Sequence, residues 1–190
     1  MFLCVLCLSQ KGMVIKMKET TLSSEKIYEG RVITLKVDKI RAENGNEGVR
    51  EYVTHGGGAA VLAVKDGKVL LERQYRYPYG EVIWEIPAGK RDKGEDFETT
   101  AKREFEEETG LIASSLKKIA YIYPSPGYTN EVIGIFYAEG LRNGKTHFDD
   151  TEDVECNWVD LKKAYEMIES GEIKDSKTLI ALLWYKAEND

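Results

Sequence analysis

Apolar and polar positions alternate through residues 25–50, with Val32, Thr34 and Lys36 on one side and Ile33, Leu35 and Val37 on the other. A period of two marks a strand. Asn44-Gly45-Asn46 turns the chain, and a return strand runs through Val49, Tyr52 and Val53, giving an N-terminal antiparallel sheet. After Gly56-Gly57-Gly58 comes an unbroken apolar run at 59–64, a strand. Asp66-Gly67 is a hairpin signal leading into a returning strand at 68–74. Residues 84–87 read as a short strand. A helix occupies 96–109, closed by Gly110 as its C-cap. Strands are expected at 116–123, 131–139 and 154–159, with a turn at Asn143-Gly144. Residues 161–170 and 177–187 are helices, packed through Ala164, Met167 and Ile168 and through Leu179, Leu182 and Leu183. No repeat or long linker interrupts the series. The pattern predicts an α+β fold, a mixed sheet with helices packed on it.

The chain has 190 residues, one domain's worth with room for a real core. Hydrophobic content of 42% and charged content of 32% describe an ordinary globular protein. A net charge of −6 and a pI near 5.2 give no indication of nucleic-acid binding. On so acidic a chain, a phosphate-rich substrate depends on local Arg, Lys and metal. Cysteines number three (Cys4, Cys7, Cys156), an odd count that argues against a disulfide framework and for a reducing, cytoplasmic setting. Residues 1–8 are apolar but too short to span a bilayer, and they lack the basic flank of a signal peptide. Residues 1–16 are therefore expected to be a non-native or flexible extension, with Met13 or Met17 as the natural start, and Cys4-x-x-Cys7 an incidental part of it. The only two histidines, His55 and His147, give little support for histidine-based chemistry. The glycines at 56–58 lack the Lys-Ser/Thr of a P-loop and read as a place where backbones approach closely.

The strongest chemistry lies in the helix at 96–109. At about 100° per residue, Glu104 and Glu108 are about 40° apart and Glu107 about 60° from Glu104. Carboxylates this close repel and raise one another's pKa unless a cation sits among them. A hard divalent cation with oxygen ligands, such as Mg²⁺, meets that demand, and a pyrophosphate would meet the cation. Arg103 precedes Glu107 by four and can hold its carboxylate. Gly89 and Gly94 flank a tight loop whose carbonyls, such as that of Ala88, could complete an oxygen site.

The conjunction Gly89, Glu95, Arg103, Glu104, Phe105, Glu107, Glu108, Gly110 and Leu111 resembles the Nudix box, G-x5-E-x7-R-E-U-x-E-E-x-G-U with U apolar, at every defined position. The resemblance implies a Nudix-type mixed sheet sandwiched by helices and Mg²⁺-dependent (or Mn²⁺-dependent) hydrolysis of a nucleoside diphosphate linked to another moiety. It implies Glu104 and Glu108 as metal ligands, Glu107 on metal or water, and the Ala88 carbonyl as a further ligand. Pro126, fifteen residues after Leu111 in Ser125-Pro126-Gly127-Tyr128, resembles the ADP-ribose pyrophosphatases. So do residues 72–78, 84–89 and 30–33. This likeness implies residues 17–57 as dimerisation strands exchanged between the subunits of a homodimer, and 58–190 as the hydrolase domain. Arg31, Arg73 and Arg76 are expected near substrate, since a guanidinium fork pairs with phosphate and stacks on adenine. Tyr28 is expected to stack on the base from the partner chain, Glu85 to meet adenine, and Pro126 and Tyr128 to form a rigid loop against base or ribose. Trp84 is read as core or dimer interface.

The reaction so implied is attack of water on a phosphorus of ADP-ribose, giving AMP and ribose 5-phosphate, in the cytoplasm and at no membrane. Glu107, Glu108 or a loop carboxylate, Glu152 first and Glu155 second, would serve as base. Other ADP- or GDP-sugars are the alternative substrates. A ligand-sensing module without turnover is the alternative class.

Overall fold

The computed structural model describes residues 18–145 and 154–189. The expected extension at 1–16, with Cys4 and Cys7, and the loop carrying His147 and Glu152 lie outside the described residues. Three antiparallel strands open the described chain: β1 (Glu19–Glu29), β2 (Ile33–Ala42) and β3 (Glu47–His55), in spatial order β1-β2-β3. The turn at Asn44–Asn46 forms as expected, with the Asn46 N–H donating to Asn44 Oδ1 at 3.0 Å. Strand β1 is an addition. It is exposed along its whole length, so no buried stripe marks it in the sequence, and it is held by pairing with β2 from Glu19↔Ala42 to Glu29↔Thr34.

The remaining elements follow in chain order: β4 (Gly58–Lys65), β5 (Lys68–Arg76), β6 (Glu81–Glu85), β7 (Ala88–Lys90), α1 (Phe97–Thr109), β8 (Leu111–Ile112), β9 (Ser115–Ile122), β10 (Ile133–Glu139), β11 (Arg142–Asn143), β12 (Val154–Asp160), α2 (Leu161–Glu169) and α3 (Ser176–Asn189). The main sheet runs β12-β5-β4-β10-β9, with β6 on β5 and β7 on β4. Only β10 on β4 is parallel, so the sheet is mixed, as the pattern predicts. Strand β4 lies at its centre and sorts its side chains by alternation. Ala60 and Leu62 join Val69, Leu71, Ile86, Ile135 and the inner faces of α2 and α3. Ala59, Val61 and Ala63 join Leu70, Phe136, Ala138 and, from α1, Ala101 and Phe105. Helices thus cover both faces. Burying Phe105, 1% exposed, contributes on the order of 2–3 kcal/mol to seating α1.

Three local expectations need correction. The strand expected at 84–87 ends at Glu85, and the chain then starts a new pairing, Ala88 opposite Ala60 and Gly89 opposite Ala59. The expected turn at Asn143-Gly144 is instead a short pairing of β11 with β8, extended by a hydrogen bond from the Gly144 N–H to the Gly110 carbonyl at 2.7 Å. In α3 the buried stripe is Lys177, Thr178, Ala181 and Leu182, while Leu183 is 52% exposed. The helix is rotated because its first turn is bonded to β6 through polar groups, described below. The glycine run at 56–58 behaves as read: a Cβ on Gly58 would stand 2.7 Å from the Gly89 carbonyl oxygen, which fixes how closely β4 and β7 meet.

Candidate active site

Helix α1 begins at Asp96, whose side chain accepts the Thr99 N–H at 2.8 Å, and ends at Gly110 in the left-handed conformation, φ 66°. These caps fix its length. Phe105 and Ala101 anchor the buried face; beside it, with Glu108 at its edge, lies the acidic face turned to the β7 bend.

Arg103 organises that face. Its Nε and Nη2 hold the two oxygens of Glu95 at 3.1 and 2.9 Å, and Nη2 also reaches the Lys90 carbonyl at 3.1 Å. Its Nη1 donates to Glu104 at 2.8 Å and to Glu107 at 3.0 Å. The guanidinium is therefore the cation that lets these carboxylates share a face. The hydrogen bonds from Arg103, with support from Thr100, hold the Glu95 carboxyl well below the usual carboxylate range, at about 2. Glu95 in turn raises the Arg103 pKa.

Glu108 takes a separate course. It is 6% exposed, and its Oε2 accepts the Ala88 N–H at 2.9 Å. The single acidic face thus divides into a guanidinium-bound pair, Glu104 and Glu107, and a buried carboxylate on the bend. Among the described residues no group of three His, Cys, Asp or Glu side chains is arranged as a finished cation site.

Two observations nevertheless fit a hard cation here. A Cβ on Gly89 would fall far inside the van der Waals envelope of the Glu104 carboxylate, so bend and carboxylate are built around each other. Beneath them lies Glu72, fully buried, with neither carboxylate oxygen hydrogen-bonded. Burial first, then the charges of Glu108 and Glu85, push its carboxyl up to about 9. Its partner across β12, Cys156, is raised to about 12 by burial, then by Glu72 and Glu108. An incoming cation would favour the ionised form of this buried carboxyl, and the carboxylate oxygens around the bend are hard donors. Sequence reasoning missed Glu72 as a site residue. Its one signal is a glutamate closing the apolar run Val69-Leu70-Leu71.

The expected substrate residues fall into three groups. Arg73 and Arg76, three apart on β5, take opposite faces of the strand. Arg73 lies over the Trp84 ring at 5.3 Å and 3.6 Å from Glu155. Arg76 grips Glu85, Nε to Oε1 at 2.5 Å and Nη2 to Oε2 at 2.7 Å. The Glu85 carboxylate, expected against adenine, is 1% exposed and has both oxygens occupied. Trp84 packs on the core and donates to Glu172 at 3.2 Å.

Tyr28 (57% exposed) and Arg31 sit around the β1–β2 turn, at the end of the N-terminal sheet where β3 leaves for β4. They share no hydrogen bond or ion pair with α1 among the described residues. Pro126 and Tyr128 lie in the loop between β9 and β10, and that loop is stitched to the N-terminal sheet. The Val53 N–H donates to the Tyr128 carbonyl at 2.7 Å, the Asn130 N–H to the Val53 carbonyl at 3.2 Å, and the His55 N–H to Asn130 Oδ1 at 2.9 Å.

The NUDIX domain matches residues 54–182, and the nucleoside diphosphate sugar hydrolase N-terminal domain matches residues 19–53. The chain is 44% identical to the ADP-ribose pyrophosphatase of Bacillus subtilis (strain 168), over 87% of this chain and 91% of that one. It is 38% identical to the methanol dehydrogenase activator of Bacillus methanolicus (90% and 94% covered) and 34% identical to the ADP-ribose pyrophosphatase of Mycobacterium tuberculosis (86% and 81%). A crystal structure of an ADP compounds hydrolase shares the fold, with a TM-score of 0.79 at 21% identity over 90% of this chain and 93% of that one.

Proposed function

This chain belongs to the NUDIX domain family, and from that premise we propose that it hydrolyses the diphosphate of ADP-ribose to AMP and ribose 5-phosphate. The observation that carries the reading is the α1 face itself: Glu104 and Glu108 set against the Ala88-Gly89 bend, with Arg103 holding Glu104 and its neighbour Glu107. Similarity to two ADP-ribose pyrophosphatases over most of the chain supports the substrate.

Glu104, Glu107, Glu108 and the Ala88 carbonyl would hold Mg²⁺, or Mn²⁺. When bound, the metal supplies positive charge to the diphosphate oxygens and acidifies water. The chain's own residues do the rest. Arg103 sets the rotamers of Glu104 and Glu107, so that neither must be ordered at the moment of reaction. Arg76 would approach the diphosphate from one face of β5, whereas Arg73, beside Trp84, would meet substrate only from the other side of the strand. The ring of Tyr128, on a loop fixed by Pro126 and by its bonds to β3, offers a face to base or ribose. For proton removal from water we assign a carboxylate, Glu107, Glu108 or the loop's Glu152.

Tyr28 and Arg31 reach a site only across subunits in this reading. The chain would then work as a homodimer through its N-terminal sheet, where Ile27, Tyr28 and Val32 are 51%, 57% and 47% exposed. No helix among the described residues is long and apolar enough to cross a membrane.

A panel of ADP-ribose, GDP-mannose and nucleoside triphosphates, each with Mg²⁺, tests the substrate; a clear preference for a triphosphate overturns it. Glu108→Gln should collapse turnover with the fold intact, and unchanged turnover would contradict the site.

A further inference from the structure

Lys177 is a cation in an unfavourable place. It is the second residue of α3, where the helix dipole opposes positive charge, and it is 7% exposed, where burial opposes any charge. Neither helix formation nor packing calls for lysine there. The groups around it do. Its Nζ bonds Oε2 of Glu85 and lies 3.1 Å from Asp175 Oδ1. Burial alone would lower its pKa, but Asp175 and Glu85 outweigh burial and raise it. On Glu85, burial is likewise outweighed by Arg76 and Lys177, and its pKa is lowered. Lys177, Glu85 and Arg76 stay charged at neutral pH.

The arrangement is directional. Glu85 Oε2 is shared by Lys177, from the core side, and by Arg76 Nη2. Glu85 Oε1 takes Arg76 Nε. Both edges of the Glu85 carboxylate are thus occupied, and Arg76 is held by one edge of its fork. Its Nη1 carries no hydrogen bond among the described residues, and about a third of its side chain (34%) is exposed, against 1% for Glu85 and 9% for Lys177. The far end of the relay is rigid: Asp175 accepts the Thr178 N–H at 2.9 Å, and Thr178 Oγ1 accepts the Ile86 N–H at 2.8 Å. The first turn of α3 is thereby bonded to the strand end that runs into the Ala88-Gly89 bend.

We infer that Lys177 and Glu85 are positioning residues for Arg76: they lock one edge of its guanidinium so that the other is presented, pre-oriented, to a phosphate oxygen of a nucleoside diphosphate. This rests on Arg76 being a substrate cation, as proposed above. A lone Glu85 would form a closed pair with Arg76, and a diphosphate would have to compete for the guanidinium. With Lys177 balancing the buried carboxylate, Arg76 keeps charge for an incoming anion, and its conformational cost is met before binding.

The test is ADP-ribose binding by calorimetry in EDTA, which stops turnover, together with KM and kcat in Mg²⁺. Four proteins are compared: wild type, Arg76→Gln, Lys177→Met and the double variant. Losing a charge-assisted bond from Arg76 should weaken binding about tenfold or more. Lys177→Met should weaken it several-fold, mostly in KM, and should add nothing in the Arg76→Gln background. Lys177→Arg should restore much of the loss. Should Lys177→Met fold poorly, with Glu85 left under-compensated, Glu85→Gln/Lys177→Met removes both charges and is expected to show the same weakening. If Arg76→Gln weakens binding while the folded Lys177 variants bind as wild type, or if their losses simply add to that of Arg76→Gln, the relay is wrong. If Arg76→Gln itself binds normally, the assignment of Arg76 fails and the relay with it.

Discussion

Gly89→Ala separates the fold from the site with one methyl group. Gly89 is not among the residues with positive φ, so alanine adopts its backbone without strain, and its pairing with Ala59 survives. The new Cβ would collide with the Glu104 carboxylate, the far end of a flexible side chain, so Glu104 must swing away. The structural cost is the Arg103–Glu104 bond at 2.8 Å, between side chains 28% and 16% exposed. A fully buried charge-assisted bond contributes roughly 1.5–3 kcal/mol. Solvent screening, and the bonds Arg103 keeps to Glu95 and Glu107, reduce this to about 1 kcal/mol. A chain of this size should lose about 2–4 °C in Tm. The functional cost is larger, because a proposed metal ligand is displaced: even disturbing a ligand's support costs about 10–100-fold in metal affinity or activity. A Mg²⁺ titration of ADP-ribose hydrolysis, run beside a thermal melt, should show half-saturation shifted at least that far with the melt nearly unchanged. In a Glu104→Ala background the glycine substitution should add little. Wild-type Mg²⁺ dependence in Gly89→Ala would refute the reasoning, and so would a melting temperature lowered by tens of degrees.

Three further outcomes are expected. Glu95 is held at about 2 against an ordinary 4.5, so its stabilisation is complete above pH 4.5 and drains away as pH falls toward 2; Glu95→Gln should flatten stability in that window, measured by urea unfolding at stepped pH, and an unaltered acid limb would contradict the Arg103 network. Glu72 is raised to about 9, so between pH 4.5 and 9 the folded chain keeps a proton that the unfolded chain releases, and stability falls as pH rises. Glu72→Gln in EDTA should therefore raise Tm at pH 8 and leave it nearly unchanged at pH 4, whereas a loss at pH 8 would mean that the carboxylate has a stabilising partner. Tyr128→Ala, at a side chain 59% exposed, should raise KM several-fold with a Tm change of no more than a few degrees; an unchanged KM would remove the ring from the substrate site.

Much of the sheet and the presence of all three helices can be read from periodicity, because most of their buried positions are apolar; the face that α3 buries is not, since Lys177 and Thr178 belong to it. The acidic helix is legible for a stronger reason: caps, anchors and carboxylates fall at one fixed spacing. Strand β1 is not legible, since Glu19-Thr20-Thr21 and the residues after it bury nothing and are ordered by hydrogen bonds to β2. Strand β7 is three residues long and exists only through its pairing with β4. Buried charges are the other blind spot. Glu72, Glu85 and Lys177 look like surface residues in a sequence, and only their cross-strand and helix-to-sheet partners place them inside. The division of the acidic face arises in the same way, because the Ala88 N–H that draws Glu108 aside comes from twenty residues up the chain.

The stitches between Val53 and the Tyr128–Asn130 segment make the N-terminal sheet a brace for the Pro126–Tyr128 loop. Stiffness enters that loop from a part of the chain more than seventy residues earlier. Shaving off residues 19–53 would therefore do more than remove a subunit contact: it would unfasten a wall of the proposed binding cleft, and a truncated chain that still folded would hold its substrate slackly.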